Sequence, residues 1–147
     1  MLKNFYQIPV SFGGLVNKKK LPKQELFNSV EQHIHLILIT RFGEYRFDPT
    51  FGCSVWEYDF DILPKINAWK SEMEKSISEL LDKQEPRLKE VIVKVTIGME
   101  EYKNFKIKKV IRVKRKISIN VKGRLVSTNE KFERPDYEIF FSPISLD

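Results

Sequence analysis

Between positions 44 and 61 the chain carries five carboxylates, Glu44, Asp48, Glu57, Asp59 and Asp61. Two carboxyls about 5 to 9.5 Å apart, one protonated and one ionised, are what glycoside hydrolysis requires. Their spacing singles out no pair, and acidic residues are common in loops. No nucleophile motif or phosphate-cradling glycine loop accompanies them, so no catalytic residue is assigned and the chain is not expected to be an enzyme. His33 and His35 stand two apart, a spacing that keeps them off one helical face. Cys53 is the sole cysteine, which removes an internal disulfide and a thiolate cluster. No metal and no cofactor is expected.

Charge offers a different kind of chemistry. The net charge is +6, yet from Tyr102 to Asn129 there are ten Lys and Arg and no acidic residue, while the remainder holds 16 basic and 20 acidic residues. The basicity is therefore local. Lys108, Arg112 and Lys114 share one face of an alternating stretch, opposite Ile107, Ile111 and Val113. A row of cations over 103–124 can track a phosphate backbone, but no aromatics interleave with it on which bases would stack. Nucleic-acid binding is thus an alternative and not the first reading. Lysines on an edge strand also prevent unwanted pairing, or they select an acidic partner that adds a strand.

The elements that position these residues follow from periodicity. Residues 1–21 contain Pro9, Gly13-Gly14 and Lys18-Lys19-Lys20 without a sustained period and read as an irregular N-terminal arm. Residues 22–147 read as a single domain. Ser29 and Gln32 have the spacing of a capping box ahead of Val30, Ile34, Ile37 and Leu38, predicting a mostly buried helix up to Gly43. A second helix runs from Asp61 and Pro64, through Ile66, Trp69, Met73, Ile77, Leu80 and Leu81, to Gln84, where Pro86 ends it. The period then changes to two. Val91, Val93, Val95, Ile97 and Met99 face one way, a turn is expected at Glu100–Asn104, and a long amphipathic strand follows, bent near Arg115. Tyr137–Phe141 reads as a last strand. Helices followed by an antiparallel sheet predict an α+β fold, with two main helices packed on one face of a small antiparallel sheet. The 41% hydrophobic content suffices for one core. No apolar run is long enough to cross a bilayer, and the N-terminus is too polar for a secretory segment, so a cytoplasmic location without membrane contact is expected.

Two short motifs carry more information than the charge. In Gly43-Glu44-Tyr45-Arg46-Phe47-Asp48-Pro49-Thr50-Phe51-Gly52, charged and apolar residues alternate, predicting an extended strip with charges on one face, Phe47 and Phe51 turned to the core, and Gly43 ending the helix. Glu85-Pro86-Arg87 stands between the second helix and the first long strand. Read alone, it is a helix stop with a local salt bridge, or a fixed backbone that aims a planar guanidinium at a partner.

In order and placement these motifs resemble the Gly-Glu-Arg, Pro, Phe-Gly and Glu-Pro-Arg segments of the small baseplate-wedge family of contractile injection machines. That family includes the TssE subunit of type VI secretion and phage tail wedge proteins, some of them labelled lysozyme-like. The resemblance covers about residues 26–100, and Tyr45 departs from it by separating Glu44 from Arg46. It implies a structural baseplate subunit, present in multiple copies within a symmetric baseplate, that docks in the wedge and initiates sheath assembly. Its implied partners are other wedge subunits and the sheath subunit. Implied contact residues are Glu85, Pro86, Arg87, Glu44 and Arg46 toward the wedge and Lys108, Arg112 and Lys114 toward the sheath; Gly43, Pro49, Phe51 and Gly52 shape the first motif. On this reading, Arg87→Ala weakens incorporation and spares the fold.

Overall fold

The computed structural model describes residues 5–10, 12–18, 20–57, 66–104, 109–133 and 136–140. In chain order the elements are β1 (Phe5–Tyr6), α1 (Phe12–Lys18), β2 (Lys23–Gln24), α2 (Leu26–Ile39), a 3-10 turn (Ser54–Glu57), α3 (Ile66–Gln84), β3 (Leu88–Asn104), β4 (Lys109–Leu125), β5 (Lys131–Glu133) and β6 (Tyr137–Phe140). The α+β expectation holds, with helices packed against an antiparallel sheet.

Alternation after Pro86 dictates the sheet. Val93, Val95, Ile117, Ile119 and Val121 are buried on one face, and the register places Val93 opposite Val121, Val95 opposite Ile119 and Ile97 opposite Ile117. Val30, Ile34, Ile37 and Leu38 of α2 and Met73, Ile77 and Leu81 of α3 complete the core; full burial of each such side chain contributes about 1.5 to 3 kcal/mol. The register slips between Lys89 and Ile92, where Glu90 adopts φ 55, and again between Tyr102 and Lys103. Pairing runs unbroken past Arg115, where a bend was expected. The strand also continues through Asn104, where a turn was expected, and stays paired with β4 to that point. The second helix ends at Gln84 as read; Asp61 and Pro64 lie outside the described residues.

β4 is the central strand. It pairs with β3 on one side and with β5 and β6 on the other, so over Lys116–Ile119 and Lys122–Arg124 both of its edges are occupied. The outer edge of β3 meets α3 instead of a strand: Glu74 Oε1 accepts from Val95 N at 2.8 Å, and Ser78 Oγ donates to Val91 O at 3.4 Å. Two helix side chains thus satisfy backbone groups that a further strand would use.

The N-terminal lead-in is not irregular. It contains β1, which pairs with β2, and the short helix α1. Helix α2 begins at Leu26 and not after a cap at Ser29; its N-cap residue is Glu25, which makes no side-chain cap bond. Ser29 and Gln32 point their polar groups at other parts of the chain, described below.

Candidate interface site

Glu85 ends α3 in a fully buried position, an expensive place for a carboxylate unless it is paired and hydrogen-bonded. It is both. Arg87 donates from Nε to Oε1 at 2.7 Å and from Nη2 to Oε2 at 2.6 Å, a bidentate fork, and its backbone N–H adds a 3.2 Å bond to Oε1. His33 Nδ1 lies 2.7 Å from Oε2. Burial alone drives this carboxyl up, but the hydrogen bonds from Arg87 and then His33, with their charges, overcome it and hold the group down at about 2. An ionised carboxylate only accepts, so His33 carries its proton on Nδ1 toward Glu85.

The fork fixes the guanidinium. Arg87 Nη1 reaches Ser29 Oγ at 3.0 Å, and the guanidinium lies over the Phe5 ring at 5.6 Å. Ser29 and His33 stand four apart on α2, hence on one face, and together they tie that helix to the end of α3. About a third of the Arg87 side chain remains exposed, Pro86 is exposed, and Glu85 reaches no solvent.

The Gly43–Gly52 strip is not extended. It forms consecutive turns because its own carboxylates bind the backbone: Glu44 Oε2 accepts from Arg41 N at 2.8 Å, and Asp48 Oδ1 accepts from Thr50 N at 2.9 Å and Thr50 Oγ1 at 2.6 Å. Gly43 has φ 77 within these turns and donates to Pro49 O at 2.9 Å; the helix has already stopped at Ile39, with Thr40 extended. Gly52, at φ 127, allows Cys53 N to bond Thr40 O at 2.8 Å, and a Cβ there would fall 2.7 Å from that oxygen. Phe51 packs on the core while Phe47 is 83% exposed, so one of the two expected plugs faces solvent. Glu44, Tyr45, Arg46 and Asp48 are exposed as well.

The fold brings the two motifs together. Gln84 Nε2 donates to Thr50 O at 2.8 Å, the Phe51 ring lies 5.8 Å from His33, and Tyr45 meets Phe51 at 5.7 Å and Phe47 at 5.8 Å. Aromatic rings thus lead from the buried Glu85 pair to the surface. Phe5, Ser29 and His33 were missed as members of this site, and the four-residue spacing of Ser29 and His33 is the signal that was available. His35 lies elsewhere, stacked near Tyr137 at 6.1 Å.

The third group of predicted residues is not in this cluster. Lys108 lies outside the described residues, and Arg112 and Lys114 stand on β4 opposite Tyr102 and Glu100 in the register. Farther along β4, Lys116 pairs with Glu138, Lys122 with Glu133 and Arg124 with Glu90.

The sequence pattern of the family described as baseplate wedge protein gp25 matches residues 24–130, a span that contains both motifs and, of the residues gathered around Glu85 and Arg87, all but Phe5. The chain belongs to this gp25 family of baseplate wedge proteins. Its role is accordingly structural, within a baseplate, and its partners include other baseplate subunits. A Geobacter sulfurreducens protein described as a tail lysozyme has a similar fold, at 19% identity and TM-score 0.50 over 84% of this chain and 94% of its own. The baseplate complex from a type VI secretion system contains a chain at 20% identity and TM-score 0.49, covering 80% of this chain and 94% of that one. No curated protein matches the sequence. Among the described residues, no helix of this gp25-family chain is long and apolar enough to cross a membrane.

Proposed function

We propose that this chain docks in the baseplate wedge through the surface around Arg87 and offers its sheet as the platform on which the sheath begins. The observation that carries the reading is the guanidinium held by a buried carboxylate, which His33, Phe51 and Tyr45 link in turn to the exposed Phe47 ring. An Arg whose rotamer is already fixed loses little entropy on binding, and Arg with Tyr is the usual composition of an interface hot spot. In this scheme Glu85 acts from inside by orienting Arg87, Pro86 fixes the approach, and Glu44 and Arg46 flank the contact with Phe47. Gly43, Pro49, Phe51 and Gly52 hold the turns that present them. The basic half of the β3–β4 hairpin, with Lys108, Arg112 and Lys114, faces an acidic sheath segment, and residues 22–147 work as one wedge domain.

The protein performs no catalysis in this reading. A glycosidase needs one carboxyl kept protonated, whereas the buried Glu85 is held ionised. Glu44 and Asp48 serve the local turns.

Isolation of tagged protein from its own cells tests the proposal. Baseplate subunits should accompany it, and Tyr45→Ser with Phe47→Ser should release them while leaving the fold unchanged. Recovery with nucleic acid alone, lost on nuclease treatment, would refute it in favour of the phosphate-binding reading of residues 103–124.

A further inference from the structure

The first 24 residues contain five lysines and no acidic residue, and nearly all of them precede the family match, which starts at residue 24. They also concentrate exposed apolar surface. Among the described residues, six of the thirteen exposed large apolar side chains fall between Tyr6 and Val16. Phe12 is 72% and Val16 77% exposed, and Leu15 lies beside them at the i, i+3, i+4 spacing of one helix face. Isolated exposed apolar residues are ordinary, but a contiguous patch marks a contact surface.

The root of this arm is fixed. β1 pairs with β2, the Gln32 side chain both accepts from Ile8 N at 3.2 Å and donates to Ile8 O at 3.0 Å, and Gln24 Nε2 bridges Gln32 Oε1 at 2.8 Å and Tyr6 O at 3.1 Å. Helix α1 is therefore presented on a tethered base, which lowers the ordering cost of docking.

A receptor of matching chemistry lies on the same molecule. Between Ile8-Pro9, one face of α2 and the start of β6 is an open groove of about 650 Å³, with Leu36 and Tyr137 in its wall and Glu31, Asp136 and Glu138 around it. Among the described residues, no Lys or Arg lines it. Asn120 donates to Asp136 at 2.8 Å and Lys116 pairs with Glu138 at 2.5 Å, so the rim is held in place. The arm leaves this groove at its own Ile8-Pro9 wall, and its Phe12, Leu15 and Val16 face solvent.

We propose that the α1 arm of one copy docks, by its Phe12–Leu15–Val16 face and the lysines that follow, into the acidic-rimmed groove of a second copy. Apolar anchors match the Leu36 and Tyr137 wall, and the cationic arm matches the carboxylate rim. The contact is head-to-tail, since arm and groove are different surfaces. Such contacts build rings when the rotation closes.

Sedimentation velocity of the full chain from micromolar to millimolar concentration tests this. Association that rises with concentration is expected. It should weaken about tenfold or more when buried anchors are lost, both in Phe12→Ser with Val16→Ser and, separately, in Glu31→Lys. Each variant keeps the wild-type melting temperature, because the altered side chains lie outside the core. Mixing the arm variant with the groove variant should restore a one-to-one pair, since each still supplies one intact half. A monomer at all concentrations, association unchanged in both variants, or mixed variants that fail to pair would overturn the proposal. So would a monomer that binds phosphatidylserine vesicles through Phe12 and Val16, which would assign the arm to a lipid surface.

Discussion

Removing Arg87 should damage the fold before it damages any interface. The Arg87→Ala change deletes both side-chain bonds of the fork and the link to Ser29, leaving Glu85 buried with only His33 and one backbone N–H. Breaking a buried pair by removing one partner costs about 3 to 5 kcal/mol. The carboxyl's own fall from 4.5 to about 2, the net of burial against Arg87 and His33 together, corresponds to about 3 kcal/mol and is of the same order, and partial exposure of Arg87 places the loss at the lower end. A loss of that size lowers the melting temperature of a chain this long by roughly 6 to 12 °C. The expectation that Arg87→Ala spares the fold is thereby reversed. Acid provides the second arm of the assay. Because the folded-state value of Glu85 lies below its unfolded one, its contribution is whole above about pH 4.5 and drains away as pH falls toward 2. Thermal melts of Glu85→Gln should fall below wild type at pH 7, and the two should converge as pH approaches 2. Glu85→Leu with Arg87→Met should recover much of the loss, since apolar replacement removes the uncompensated charge. Coincident melts at pH 7, or a gap that stays constant into acid, would refute this account.

Three further outcomes are expected. Gly52→Ala should lower stability by about 1 to 3 kcal/mol by combining φ strain with a Cβ placed against Thr40 O, measurable by urea denaturation. The Cys53 thiol, pushed up to about 11 chiefly by burial, should resist disulfide-exchange reagents at pH 8 until the protein unfolds. Replacing Lys108, Arg112 and Lys114 together by Glu should leave the melting curve within about 1.5 kcal/mol of wild type while abolishing sheath assembly on reconstituted baseplates; an assembly rate equal to wild type would remove those residues from the contact.

The sequence was most legible where one period ran long. Alternation from Val91 to Ile97 and from Ile117 to Val121 set the buried face of the hairpin, and Pro86 set the end of α3. It misled where side chains chose distant partners. Ser29 and Gln32 have the spacing of a cap, but they bond Arg87 and Ile8, residues 58 and 24 positions away, which no local rule anticipates. In the Gly43–Gly52 stretch, alternation suggested a strip, yet Glu44 and Asp48 captured backbone N–H groups and curled it into turns. The Glu-Pro-Arg motif offered a helix stop with a local salt bridge, and both are present, but burial of Glu85 depends on α2 arriving from elsewhere in the chain.

The helix side chains on the outer edge of β3 bear on direction. At Val91 and Val95 that edge is already answered by Ser78 and Glu74, whereas the outer edges of β5 and β6 carry no strand among the described residues. A sheet answered at two positions on one margin and open along the other accepts an added strand more readily on the open side. If the sheath begins on this sheet as proposed, a strand that adds to it enters from that one side.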